Sequence, residues 1–359
     1  MVPKLKLCAG AVVAALCLPG AVVAAELSVY GKAHLSLESQ DDGTNTGTGL
    51  SSNSSRLGFK GSADFGTGLT GFFQYEIGTN VDETNQPGGF FQNPAGSGTG
   101  RDSFLGLKGG WGAIKAGRLS EGGANAWVYD ANLFADQLGD IANLTSAGAP
   151  FGRGDNSVNY VTPDWGGFGV GLTYIPEDST NPNASGSTGV SLRYAAKGLA
   201  FGVHAYKFDK STLTPIGAND PKVTAVSGTY DWGGGVLTAM FVSDKDEGGV
   251  SGADRDIVTL GAGFKVGSAG SMFKVQYADA DERDNAPNTG AKLWAVGYDH
   301  AIAKNATLYI VYADVDNDSA ASFHPFNYGH GENFGTVTAG RDPSGFGIGF
   351  IYDFGATWK

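Results

Sequence analysis

ELSVYGKAHLSLE, residues Glu26 to Glu38, sorts its side chains onto two faces. Leu27, Val29, Gly31, Ala33, Leu35 and Leu37 share one; Ser28, Tyr30, Lys32, His34, Ser36 and Glu38 share the other. The period is two, that of a β-strand. It holds for about a dozen residues, against the roughly five or six of a common soluble strand.

The unit recurs along the chain. GIGFIYDF, residues 347–354, places Ile348, Phe350, Tyr352 and Phe354 on one side. Between the two lie SRLGFKGS, LTGFFQYEIG, SFLGLKGG, WGAIKAGR, DIVTLGAGFKV, AKLWAVGYDH and others of the same kind. They predict about sixteen strands, within the range of bacterial outer-membrane barrels.

The connections alternate between short and long. AAKG, DWGGG, GSAGS and IAKN are short turns. SQDDGTNTGTGLSSN, TNVDETNQPGGFFQNPAGSGTG, PEDSTNPNASGSTG, SDKDEGGVSGADR and ADADERDNAPNTG are long and polar. Strands running alternately up and down put every second connection on the same side, as in a membrane barrel with short periplasmic turns and long extracellular loops. One face of each strand reads apolar or glycine, and the other carries Lys32, Arg56, Lys60, Gln74, Glu76, His204, Lys274 and Gln276. An apolar exterior around a polar interior inverts a soluble protein. Lipid offers no partner for free backbone groups, so such a sheet must close on itself. With about sixteen strands, closure leaves water along the axis.

Composition narrows the class further. The 359 residues hold 24 bases and 36 acids, a formal net charge of −12. A surface that acidic repels nucleic acid. The basic start MVPKLK and the apolar run LCAGAVVAALCLPGAVVAA predict a secretory signal over residues 1–25, cleaved after Ala24 or Ala25. Its loss removes Lys4 and Lys6, so 24 − 2 = 22 bases face 36 acids and the expected mature charge is −14. Both cysteines, Cys8 and Cys17, fall within that segment, which leaves residues 26–359 without disulfide, thiolate or cysteine-bound metal. Leu16 before Cys17 does not suit lipid attachment. No later apolar run reaches the roughly 18–20 residues of a membrane helix.

WVYDANLFADQLGD, residues 127–140, breaks the β pattern. Asp130, Asp136 and Asp140 stand among aromatics and leucines at a spacing that suits a turn of helix. Trp127, Tyr129, Leu133, Phe134 and Leu138 need somewhere to pack, so this third long connection is expected to fold inward against the barrel wall.

The chain resembles the Gram-negative general diffusion porins over essentially all of its expected mature length. The motifs are SVYGKAHLSL, SSRLGFKG, RDSFLGLKGGWGAIKAGR, VYDANLFADQLGD, RGDNSVNYVTP and GIGFIYDF. The resemblance implies a non-enzymatic, homotrimeric outer-membrane channel, passive toward ions and small hydrophilic solutes and in contact with lipid and lipopolysaccharide. It implies a pore constriction in which a basic wall of Lys32, Arg56, Arg101 and Arg153 faces Asp130, Asp136 and Asp140 of the third loop. Strand parity agrees for Lys32, Arg56 and Arg153. At Arg101 it is less tidy, because Leu105 and Leu107 share its side and would have to pack beneath the loop. The family pattern ends on an aromatic residue, whereas here GATWK follows Phe354; either Trp358 takes that role or the tail extends a strand or is an appended remnant. The acid-rich composition predicts weak cation preference.

Other motifs carry less. DVDND, Asp314 to Asp318, has a calcium-loop rhythm, but Ser319 stands where glycine is needed and Pro325 where the bidentate Glu belongs. No resident cofactor is expected, and Ca²⁺ or Mg²⁺ only at the acidic outer loops. GAGFKVG lies mid-strand with no helix following, so it does not read as a phosphate loop. Five scattered histidines support neither a metal site nor a triad. Two other functions stay open: a substrate-selective channel of the same fold, marked by a lumenal line of lysines or aromatic slide that the sequence does not display, and a secreted soluble β-sandwich binding carbohydrate.

Overall fold

The computed structural model describes residues 23–82, 100–145, 152–176, 186–210, 217–267, 270–326, 328–331 and 335–358. The expected signal, up to residue 22, and residues 83–99 of the second long connection lie outside them.

Seventeen strands form one antiparallel sheet. The first group is β1 (Val23–Asp41), β2 (Thr46–Ser52), β3 (Arg56–Asp64), β4 (Thr70–Gly78), β5 (Ser103–Gly109) and β6 (Gly112–Leu119). Next come β7 (Gly154–Val161), β8 (Phe168–Ile175), β9 (Ser187–Ala196), β10 (Leu199–Lys207) and β11 (Lys222–Asp231). The last are β12 (Gly235–Lys245), β13 (Arg255–Val266), β14 (Ser271–Ala280), β15 (Ala291–Ala303), β16 (Ala306–Asn317) and β17 (Ser344–Trp358). Each pairs with its successor from β3 onward, and β17 returns to pair with β1 from Asp41↔Ser344 to Leu27↔Trp358. Closure removes every sheet edge, as lipid requires.

β2 and β3 lie end to end along the same neighbour. β2 pairs with the upper half of β1, from Leu35 to Asp41, and β3 with the lower half, from Val23 to Lys32. Seventeen strands therefore make sixteen staves. The break between the two holds Ser54 at φ +48. Two thirds of the first expected loop is thus strand: Asp42–Asn45 turns, closed by Asp42 Oδ1, which accepts from the Thr44 and Asn45 amides at 2.8 and 2.7 Å. The stretch has a loop's composition, but the overlong β1 offers it a ladder.

Elsewhere the alternation stands. Residues 110–111, 197–198, 232–234 and 304–305 are tight turns at one end, and residues 79–102, 120–153, 246–254, 281–290 and 318–343 connect strands at the other. At 197–198, Lys197 (φ +51) and Gly198 (φ +80) both take the left-handed region that a two-residue hairpin demands. The tail also resolves: residues to Trp358 continue β17 against the start of β1.

Leu27, Leu37, Phe59, Ile348, Phe350, Tyr352 and Phe354 are exposed on the outer face, while Ser28, His34, Ser36 and Glu38 are buried within. Leu105, 70% exposed, also points outward and not beneath the loop. Arg101 precedes β5, so strand parity does not extend to it.

The polar inner face expected of every strand fails on one wall. Ala225, Val242, Ile257, Leu293, Ala295, Ala313 and Val315, from β11 to β16, face inward and are fully buried. The third loop covers them. There both faces are apolar, which a polar-or-apolar reading does not separate.

Candidate pore constriction

Residues 120–153 leave β6 and turn inward. Their course is irregular: tight 3-10 turns at Ser120–Gly122 and Ala124–Ala126, bends through residue 140, then the one-turn helix α1 (Ala142–Thr145). The helical turn expected over Asp130–Asp140 does not form. Asp136 sits at φ +59, and the amides find side chains instead. Leu133 N–H donates to Gln276 Oε1 at 2.7 Å, and Asp136 N–H to Asp140 Oδ2 at 2.9 Å. Such bonds compete with the helical ladder.

Apolar packing holds the loop in place. Trp127, Phe134, Leu138, Ile141 and Leu144 are fully buried. Trp127 and Ile141 pack with Val242, Ile257 and Leu293, while Phe134 and Leu138 pack with Ala295, Val311 and Ala313. Each such side chain stabilises the inward position by about 1.5–3 kcal/mol. Polar clamps set the register. Lys274 Nζ donates to Leu133 O, to Gln137 Oε1 and to Asp299, each at 2.9 Å, and lies 4.5 Å above the Phe134 ring. From above, the last long connection presses down: Gly139 N–H donates to Pro325 O at 2.8 Å, and Tyr328 N–H to Asn143 Oδ1 at 2.7 Å.

The four wall bases come together opposite this loop. Lys32 lies between Arg56 of β3 and Asp353 of β17 in the ladder. Arg56 Nη1 stands 3.7 Å from Asp136 Oδ2, which joins wall to loop. Arg101 Nε donates to Glu76 Oε1 at 2.6 Å, and Arg153 Nε to Asp102 Oδ1 at 2.8 Å. Tyr30 Oη donates to the other Glu76 oxygen at 2.9 Å. Glu76, Asp102 and Asp353 thus stand beside the four bases, and sequence reasoning did not assign them. Their signal was present, since Glu76 was on the polar face and Asp102 adjoins Arg101.

The three loop acids separate. Asp136 alone faces the basic wall. Asp140 is fully buried beneath the loop, where its carboxylate accepts from Asn132 Nδ2 at 2.5 Å and from the amides of Asp136 and Ala142 at 2.9 and 2.8 Å. It closes the loop on itself. Burial, with the nearby Asp136 charge adding, pushes its carboxyl up to about 7. Asp130 reaches another wall, where Oδ2 meets His204 Nε2 at 2.8 Å and accepts from Ser227 Oγ at 3.0 Å. Burial there would raise its pKa, but the His204 hydrogen bond and the Arg193 charge outweigh it, and the carboxyl is held below its usual value. Asp130 ties down the loop and does not line the basic face.

The calcium-like rhythm at Asp314 is the end of β16. Asn317 there braces the following turn, its Nδ2 donating to Phe323 O and Arg341 O at 2.8 Å.

Comparison with known proteins fits this closed barrel and infolded loop. A family model described as Gram-negative porin matches residues 9–320. The chain belongs to the Gram-negative porin family. As a porin its place is the outer membrane, and the family is one of non-enzymatic channels. It is 32% identical over 158 residues to the major outer membrane protein P.IB of Neisseria gonorrhoeae, a match spanning 43% of this porin and 41% of that protein. It is 28% identical over 317 residues to outer membrane porin protein 32 of Delftia acidovorans, 84% of each. In three dimensions it is similar to an anion-selective porin from Comamonas acidovorans, with TM-score 0.71, 22% identity, and 92% and 100% of the two chains covered. It is also similar to OmpT of Vibrio cholerae, with TM-score 0.64, 16% identity, and 93% and 100% covered.

Proposed function

We propose that this porin is a general diffusion channel, passive toward ions and small hydrophilic solutes, with its narrowest point beside the Arg56–Asp136 contact, where the infolded loop meets the basic wall. The observation that carries the reading is the opposition of Lys32, Arg56, Arg101 and Arg153 on the wall to an inward loop carrying Asp136. Charges opposed across a wet gap orient water and favour dipolar solutes. An ion passing about 10 Å from one such charge interacts with it by roughly 0.4 kcal/mol in bulk water and ~1.7 at an effective dielectric of 20. That biases ions and cannot filter them exclusively.

The four bases meet four acids, Glu76, Asp102, Asp136 and Asp353. A balanced eyelet leaves the sign of preference to the wider vestibule. Since the expected mature chain carries 22 − 36 = −14 and its long connections are acidic, preference is weakly toward cations. It is strongest in dilute salt, because a Debye length of about 10 Å at 0.1 M screens the outer loops from the path. We further propose a homotrimer, supported by the similar trimer form of Vibrio cholerae OmpT, with the acidic loops meeting lipopolysaccharide through divalent cations. Planar-bilayer recording tests the reading: conductance in three equal closing steps and a cation-signed reversal potential that shrinks with salt. A reversal potential of anion sign at low salt would place this porin with the anion-selective Comamonas protein and remove the vestibule argument.

A further inference from the structure

Below the eyelet, toward the end with the short turns, the lumen carries apolar surface that the infolded loop does not cover. Phe72 of β4 and Phe104 of β5 face inward and meet edge to face at 6.0 Å. Unlike the inner residues of β11–β16 they are only half-buried. Each lies where its neighbouring stave has no side chain. A Cβ on Gly106 would stand 2.4 Å from Phe72 Cζ, and one on Gly117 3.1 Å from Phe104 Cβ. The Phe72 ring thus lies over Gly106, with Phe104 set edge to face beside it. Core packing does not account for them.

Three lysines surround these rings. Lys60 Nζ stands 5.1 Å from the Tyr30 ring, Lys108 Nζ 6.0 Å from Phe72, and Lys115 Nζ 4.7 Å from Phe104. Lys115 is paired to Glu121 at 2.9 Å. Lys60 and Lys108 are exposed, and neither forms an ion pair among the described residues. A cavity of about 250 Å³ opens between Lys60, Phe72, Gln74 and Phe104, with Ser28 and Glu26 on its rim. An apolar cavity of roughly 150 Å³ takes a benzene ring. This one has room for a ring and a carboxylate.

We propose that this patch is a solute subsite for small aromatic carboxylates, which enter it from the side of the short turns. The ring packs on Phe72 and Phe104, Lys60 takes the carboxylate, and Gln74 offers a donor beside it. Glu26 turns away a second negative charge, so monoanions are preferred to dianions. The inference rests on the channel reading above for its access route, though not for its chemistry.

The test uses the full-length protein in planar bilayers. Potassium chloride alone gives the baseline, and sodium benzoate or sodium acetate is then added to the short-turn side. Benzoate should reduce the ion current at a concentration about fivefold below that of acetate, the worth of one aromatic contact. Phe72→Ala with Phe104→Ala should abolish that difference while potassium chloride still conducts, and Lys60→Gln should weaken the response to both anions. Equal response to the two anions, or an undiminished difference in the double variant, overturns the subsite. Saturation-transfer NMR of benzoate with detergent-solubilised protein reads the same contact without current. Transfer that persists where no conductance is found would sink the channel reading alone.

Discussion

Lys274, on the wall at β14, donates its ammonium hydrogens to the backbone carbonyl of Leu133 and the side chain of Gln137, both at 2.9 Å, and so fixes the infolded loop to the barrel. It also pairs with Asp299 at 2.9 Å. Lys274→Met keeps the stem but leaves three acceptors unmet, at a cost of about 1–3 kcal/mol for each buried group stranded. The expected result is a lower thermal midpoint in detergent and a noisier open-channel current. A quiet channel with an unchanged midpoint would show that apolar packing alone holds the loop.

Arg56 and Asp136 meet at 3.7 Å where the infolded loop approaches the wall, and in the proposed channel both charges border the path. Asp136→Asn should move the reversal potential toward anions, and Arg56→Gln toward cations. An ion passing at about 5 Å feels each charge by roughly 0.8 kcal/mol in water, so each shift in permeability ratio should be near fourfold. Joined in one chain, the two changes should largely cancel. Asp140→Asn, by contrast, should leave the ratio where it was.

Asp140 makes a different demand, one of pH. Its carboxyl sits near 7 in the folded loop, above the ordinary 3.8. The folded state therefore holds more protons than the unfolded one between those values, and stability falls as pH rises from about 4 to about 7, then levels. Thermal midpoints recorded at pH 5 and pH 8 should differ in this sense, and Asp140→Asn should narrow the gap. A wild-type midpoint that climbs over the same range would contradict the buried placement of this side chain.

Gly58 lies under the Tyr30 ring, and a Cβ there would stand 2.3 Å from Tyr30 Cζ. Tyr30 in turn holds Glu76, the partner of Arg101. Gly58→Val should push the ring into the lumen, release Glu76 and lower single-channel conductance. Tyr30→Ala in the same chain should restore it. Failure of that restoration would mean the valine acts on the sheet itself.

Much of this was legible in the residues. Period two in Glu26–Glu38 and the alternating connections follow from local order, and the structure has both; Lys32, Arg56 and Arg153 came from the family resemblance, with strand parity agreeing. What was not legible depends on which surface a residue meets. Asp130, Asp136 and Asp140 look alike in sequence, yet one binds His204, one faces Arg56 and one closes the loop. Ala225, Ala295 and Ala313 read as indifferent fillers until Trp127, Phe134 and Leu138 are laid over them. Phe72 and Phe104 were hidden for a related reason: an aromatic reads as lipid-facing, although Phe72 shares its face with Gln74 and Glu76, and Phe104 with Lys108.

The pairing of β1 with β17 has a consequence for biogenesis. The earliest stave finds its permanent neighbour only when the latest one arrives, so the ring cannot shut while synthesis is under way. Until then the row from Leu27 to Asp41 is an open adhesive seam. Closure of the barrel is therefore the last pairing to form, and it waits on the arrival of Ser344–Trp358.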